Sequence, residues 1–92
     1  MIRSFADRET EQVFNHRHSR RYAELERVAF RNLRQIHRVT WLEELQRPPG
    51  NRVEKLKGDR EGMWSLRVNE QWRICFKWRN GDAYEVEIVD YH

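Results

Sequence analysis

At Pro48-Pro49-Gly50 the chain changes its hydrophobic period, and that change limits what it can fold into. Upstream, Tyr22, Leu25, Ala29, Leu33 and Ile36 recur at spacings of 3, 4, 4 and 3. That is one face of an amphipathic helix from about Arg20 to Val39. Downstream, apolar and polar residues alternate. Trp64, Leu66 and Val68 interleave with Ser65, Arg67 and Asn69; Trp72, Ile74, Phe76 and Trp78 with Arg73, Cys75, Lys77 and Arg79; Tyr84, Val86 and Ile88 with Glu85, Glu87 and Val89. Alternation of this kind is the mark of half-buried strands. Neither proline can continue a helix hydrogen-bond ladder, so the helical part stops there.

The smaller signals fill in the rest. Residues 1–5 alternate weakly and predict a short strand. Asp7 is placed to cap a short helix carrying Val13 and Phe14. Trp41, Leu42 and Leu45 predict another short helical segment before the prolines. Gly58 to Gly62 is a polar turn, and Asn80-Gly81-Asp82 joins the last two strands as a hairpin. An earlier strand near Arg52 to Lys57 is less regular, since Val53 and Leu56 would point to opposite faces. The predicted fold is α+β: a short N-terminal strand and two to three helices packed on one face of an antiparallel β-meander. At 92 residues, a single domain over 1–92 is expected.

Of the residues, 36% are charged, yet four Trp, four Phe and three Tyr provide enough apolar surface to argue against disorder. No apolar run approaches the roughly 20 residues of a membrane span. No apolar signal segment follows Met1-Ile2-Arg3-Ser4-Phe5. Cys75 is alone, so no intrachain disulfide is expected, which fits a reducing cytoplasm. Charge is uneven: residues 1–50 carry net +3 and residues 51–92 net 0, so the helical half is the basic half. Arg outnumbers Lys fifteen to three. Arg forks grip phosphates and carboxylates bidentately, which suits an RNA or an acidic protein partner; a solvated mixed-charge surface is the plain alternative.

If the helices cover the apolar face, the other face displays Ser65, Arg67, Arg73, Cys75 and Lys77 as a basic patch. This is either an anion site for a phosphate backbone or a set of cross-strand pairs with Glu85 and Glu87. Asp90, Tyr91 and His92 offer a carboxylate, a phenol and an imidazole in succession, suited to orienting, hydrogen-bond donation and proton transfer; a frayed tail is the alternative. Cleavage of RNA by its own 2′-hydroxyl needs a base, positive charge on the phosphorane and an acid, and no metal. Arg73, Arg67 and Lys57 could supply the charge, with His92 and Glu54 for proton transfer. His16 and His18 lack a third ligand at a standard spacing. His37 sits late in a helix, near its C-terminal dipole. Cys75 has no adjacent base, and Gly58 and Gly62 form no phosphate loop.

Several blocks together resemble the HigB toxins of the RelE/ParE superfamily: Pro48-Pro49-Gly50-Asn51-Arg52, Leu56-Lys57-Gly58-Asp59-Arg60-Glu61-Gly62, Trp64-Ser65, Arg67-Val68-Asn69, Gln71-Trp72-Arg73-Ile74 and Asp90-Tyr91-His92. The resemblance is densest from Pro48 to His92. It implies a RelE-like fold and a toxin that enters the ribosomal A site and cuts translated mRNA. It also implies a helix-turn-helix antitoxin of the HigA type, with operator DNA bound only through the antitoxin complex. The sequence itself offers imidazole, phenol, carboxylate and guanidinium groups but no recognisable metal cluster, so attack by the RNA's own 2′-hydroxyl is expected, leaving 2′,3′-cyclic phosphate ends with no cofactor. Asp90, Tyr91 and His92 match the family's acid-tyrosine-histidine motif, and Lys57 and Arg73 match its basic sheet positions. Arg67, Lys77 and Arg60 are added as RNA-binding candidates. Glu54 stands where some HigB toxins have a histidine, which leaves the second proton-transfer group open. Two other readings share this fold: a ParE-type inhibitor of DNA gyrase, and an inactive homologue acting as antitoxin partner or co-repressor.

Overall fold

A computed structural model of the chain describes residues 1–90, so Tyr91 and His92 lie outside the described residues. The elements run α1 (Arg8–Phe14), α2 (Glu26–Arg38), α3 (Leu42–Gln46), β1 (Glu54–Lys55), β2 (Met63–Arg67), β3 (Trp72–Arg79) and β4 (Asp82–Asp90). The four strands form one antiparallel sheet in chain order, β1-β2-β3-β4. The expected α+β layout, helices on one face of a meander, is what the chain adopts. The N-terminal segment pairs parallel to β4 through single bridges at Ile2–Ala83 and Phe5–Val86.

Local chemistry explains most boundaries. The Asp7 carboxylate accepts from the Thr10 N–H at 2.7 Å and starts α1. The helix expected from Arg20 begins only at Glu26. Upstream, the Tyr22 N–H donates to Ser19 Oγ and the Ser19 N–H to the Glu26 carboxylate. These side chains offer the backbone an alternative to the helix. Tyr22 and Leu25 still reach the core from that turn. Pro49–Asn51 form a 3-10 turn, and the strand expected over Arg52 to Lys57 shrinks to Glu54–Lys55. Asn80 and Gly81 both take positive φ, the mirror-image turn that suits a two-residue hairpin.

One sheet face is packed. Ala29, Leu33 and Ile36 of α2 meet Leu66, Ile74, Phe76, Ala83, Val86 and Ile88, all buried. Alternation fails once, in β4. Cys75 pairs with Glu87 but Lys77 pairs with Tyr84, so β4 carries one extra residue there, and Glu85 sits at φ 52°. The bulge puts Ala83 rather than Tyr84 on the packed face, correcting the expected Tyr84–Val86–Ile88 series. Tyr84 instead lies on the Lys77 face, with the Arg79 guanidinium 4.8 Å from its ring.

The free edge of β4 is covered. Arg3 and Ala6 donate to the carbonyls of Ala83 and Val86, whose own N–H groups donate to Met1 and Ser4 carbonyls. Further along, the Ile88 N–H donates to Thr10 Oγ1 and the Tyr22 hydroxyl to the Ile88 carbonyl. The opposite edge, β1, has two residues, too few to template pairing with another chain.

Candidate functional site

The second sheet face departs from expectation. Ser65, Cys75 and Arg73 were expected on an open face, but Ser65 and Cys75 are fully buried and Arg73 is 9% exposed. The cover over Arg73 is the chain leaving the Pro49–Asn51 turn. Arg52 there takes φ 43°, and its carbonyl accepts a short hydrogen bond from Arg73 Nη2. Arg73 Nε donates to Ser65 Oγ at 2.8 Å. The guanidinium is therefore set by strand and loop together, not by its own flexible stem.

Around it lies a cleft of about 270 Å³ lined by Arg52, Glu54, Arg67, Asn69, Glu70 and Arg73. Three guanidinium groups face two carboxylates, a net positive hollow. Register explains the grouping: Glu54 pairs across from Ser65, and Arg67 from Arg73. Cross-strand partners share a face. The loop between β2 and β3 closes one end. There, Asn69 Oδ1 accepts the Gln71 and Trp72 N–H groups, both at 2.8 Å, while Arg67 Nε donates to the Asn69 carbonyl.

Of the residues singled out from sequence, Arg73, Arg67 and Glu54 share this cleft. Lys57 lines a separate hollow with Lys55, Leu56, Gly58 and Glu61. Lys77 pairs with Glu85 at 2.6 Å, so the cross-strand pairing reading applies to this cation, while Arg60, in the Gly58–Arg60 turn, pairs with Glu87 at 3.5 Å. Asp90 pairs across from Trp72, at the end of β4, and accepts from Gln71 Nε2 at 3.2 Å. Tyr91 and His92 fall outside the described residues. Arg52, Asn69 and Glu70 were not singled out. Arg52 and Asn69 lie within the blocks that carry the HigB resemblance, which was the available signal.

Other groups behave structurally. Burial pushes the Cys75 thiol up, against the pull of Arg60, as expected of an inert thiol. His37 does not act as a charged cap. Its Nδ1 accepts the Ile2 N–H at 3.1 Å, and burial, the N-terminal ammonium and Arg34 hold it below the usual imidazole range. Among the described residues, no three or more His, Cys, Asp or Glu side chains are grouped to hold a metal ion. Among the described residues, no helix is long and apolar enough to cross a membrane. A second basic surface lies on α2, where Arg27, Arg31, Arg34 and Arg38 are exposed. Arg34 there lies over the Phe14 ring at 4.1 Å.

Residues 3–92 match the family described as the RelE-like toxin of the type II toxin–antitoxin system HigB. Toxin HigB-1 of Vibrio cholerae is 36% identical over 85 residues, 90% of each chain. Endoribonuclease HigB of Proteus vulgaris is 54% identical over 41 residues, a match that spans 45% of this chain and 45% of that protein. Among solved structures, the YoeB dimer of Staphylococcus aureus aligns with a TM-score of 0.56 at 17% identity, over 99% of this chain and 94% of that one. The Staphylococcus aureus YoeB–YefM complex aligns with a TM-score of 0.56 at 14% identity, over 100% and 98%. These structural likenesses speak for the fold alone.

Proposed function

Because the chain belongs to the HigB-like toxins of type II toxin–antitoxin systems, we propose that it is an endoribonuclease that cuts mRNA on the ribosome. The observation that carries this reading is the cleft that holds Arg52, Arg67 and Arg73 beside Glu54. The name of the Proteus vulgaris relative, an endoribonuclease, supports it.

The scissile phosphate occupies the cleft. Arg73 and Arg67 stabilise the charge that builds on the phosphorane, with Arg52 at the rim. Preorganised donors of this kind are worth most where water is excluded and their geometry is already set. Glu54 takes the proton of the 2′-hydroxyl, whose oxygen bonds to phosphorus. The bond to the 5′-oxygen breaks, and that oxygen takes a proton from His92. Tyr91 donates a hydrogen bond and Asp90 orients its neighbours. The products are a 2′,3′-cyclic phosphate and a 5′-hydroxyl. Lys57, Arg60 and Lys77 contact the RNA backbone outside the cleft. The partner that neutralises the chain is a HigA-type antitoxin with a helix-turn-helix.

The cleft is open and small, with little surface to bend a free RNA into in-line geometry. The ribosome supplies that positioning, worth several kcal/mol of barrier in comparable cases. The test incubates purified protein with a defined mRNA, with and without programmed ribosomes. Chelator is added only to the ribosome-free arm, because ribosomes need Mg²⁺. Cleavage confined to the ribosome arm with cyclic phosphate ends is the expected result. Cutting of free RNA that stops on chelation, or 3′-hydroxyl ends, overturns it. No cutting in either arm, together with trapped gyrase–DNA complexes, replaces it with a ParE-type activity.

A further inference from the structure

We infer that a file of three side-chain amides, Asn51, Gln35 and Asn32, sets the geometry of the arginine cleft. They are positioning residues, and the inference rests on the anion-site reading above. The file begins behind one bank. Asn51 Nδ2 donates to Gln35 Oε1 at 3.1 Å and to the Leu45 carbonyl at 3.0 Å. Gln35 Nε2 donates to Asn32 Oδ1 at 3.3 Å. Asn32 Nδ2 donates to the Arg67 carbonyl at 2.9 Å. Donors point one way throughout, so the file has a polarity that a carboxylate at any position would break.

Its two ends meet the two banks of the cleft. Asn51 directly precedes Arg52, whose carbonyl holds Arg73 Nη2. Arg67 is the last residue of β2 and lines the cleft itself. The loop bank and the strand bank are thus tied to the same helix, α2, by one set of hydrogen bonds. Asn32 and Asn51 are buried, at 3% and 7% exposure. Asn32 adjoins the core residue Leu33 on α2. Packing alone would favour an apolar side chain there, and Asn is a poor helix former. A buried polar network that is fully satisfied confers one defined arrangement on the parts it joins. The parts joined here are the carriers of Arg52 and Arg67, and the Arg52 carbonyl in turn holds Arg73.

The test uses Gln35→Met, which interrupts the file at its half-buried middle, and Asn32→Asp, which keeps shape but removes the donor to Arg67. The probe is a 2′-O-methyl RNA trinucleotide, which binds but cannot be cut. Its affinity and the Nε–H resonances of Arg67 and Arg73 are followed by NMR, at a temperature below each variant's melting transition. Loss of about tenfold in affinity with displaced arginine resonances is expected, the factor that one broken hydrogen bond supplies. Unchanged affinity overturns the inference. So does a loss that follows only the unfolded fraction and vanishes in the fully folded variant. Cleavage on programmed ribosomes is measured alongside, where the file variants are expected to lower kcat more than they raise KM. Should the parent chain cut no RNA, the function reading fails, while the trinucleotide titration still reports on the file.

Discussion

The two faces of the sheet are built from the same strands by different means. On the packed face, Ile74, Phe76 and Val86 are held by volume: their neighbours leave them one place to be. On the other face, Arg73 is held by direction, through Ser65 Oγ and the Arg52 carbonyl. Volume tolerates a small change at a small cost, because neighbours relax. Directed hydrogen bonds to a charged group tolerate little, because each lost partner leaves a buried charge less well held. Changes on the polar face should therefore remove activity and spare the fold, and changes on the packed face the reverse.

The largest effect is expected from His92→Gln, which removes the proposed acid. Cleavage should fall about 10²–10⁴-fold while the denaturation midpoint stays where it was. A folded, soluble variant as toxic as the parent would sink the assignment. Next comes Arg73→Ala, with a loss of about 2.7–4 kcal/mol of transition-state stabilisation, against a mild effect for Arg79→Ala at the hairpin end. Equal, mild losses from both would erase the distinction between a set guanidinium and an exposed one. On the packed face, Ile74→Val should cost about 0.5–1.5 kcal/mol of stability, read by denaturant unfolding, with cleavage per folded molecule unchanged. A drop in that specific rate would mean that the two faces are coupled.

The smallest expected effect concerns His37, which joins α2 to the N-terminal segment. Its pKa lies below the ordinary value, through burial first and then the N-terminal ammonium and Arg34. Folding favours the neutral ring, so the stability it contributes is whole above pH about 6.5 and is lost as pH falls from there towards the depressed folded value. The melting temperature should fall more steeply below pH about 6.5 in the parent than in His37→Leu. Equal slopes would show that the ring's protonation is not linked to folding.

The packed face was legible in the sequence because apolar alternation needs no partner to be recognised. Leu66, Ile74, Phe76, Val86 and Ile88 all fell where the period put them. Tyr84 did not, because a bulge is a local choice of backbone at Glu85 that leaves no mark on hydropathy. The polar face was only half legible. Period placed Arg67 and Arg73 together, but their burial depends on the loop after Pro49, and loops carry no period. Arg52 escaped notice for that reason, as did Asn32 and Gln35, which look like ordinary polar positions on a helix until their partners are known. The helix start was overrun for a related reason: Ser19 and Glu26 divert the backbone through single hydrogen bonds that spacing cannot reveal.

The bridges from Ile2 to Ala83 and from Phe5 to Val86 join the beginning of the chain to its last strand. Their sequence separation of 81 residues makes them about the most non-local contacts a chain of this size can form. Such contacts close late, after loop entropy has been overcome by everything between. During synthesis at about 5–20 residues per second, the N-terminal segment waits about 4–16 s for its partner strand to be made. The cleft shares that delay, since β3 carries Arg73 and takes its other neighbour from β4. A nascent copy therefore lacks a complete sheet around its cleft until β4 has been made, so the arginines are synthesised well before the frame that sets them.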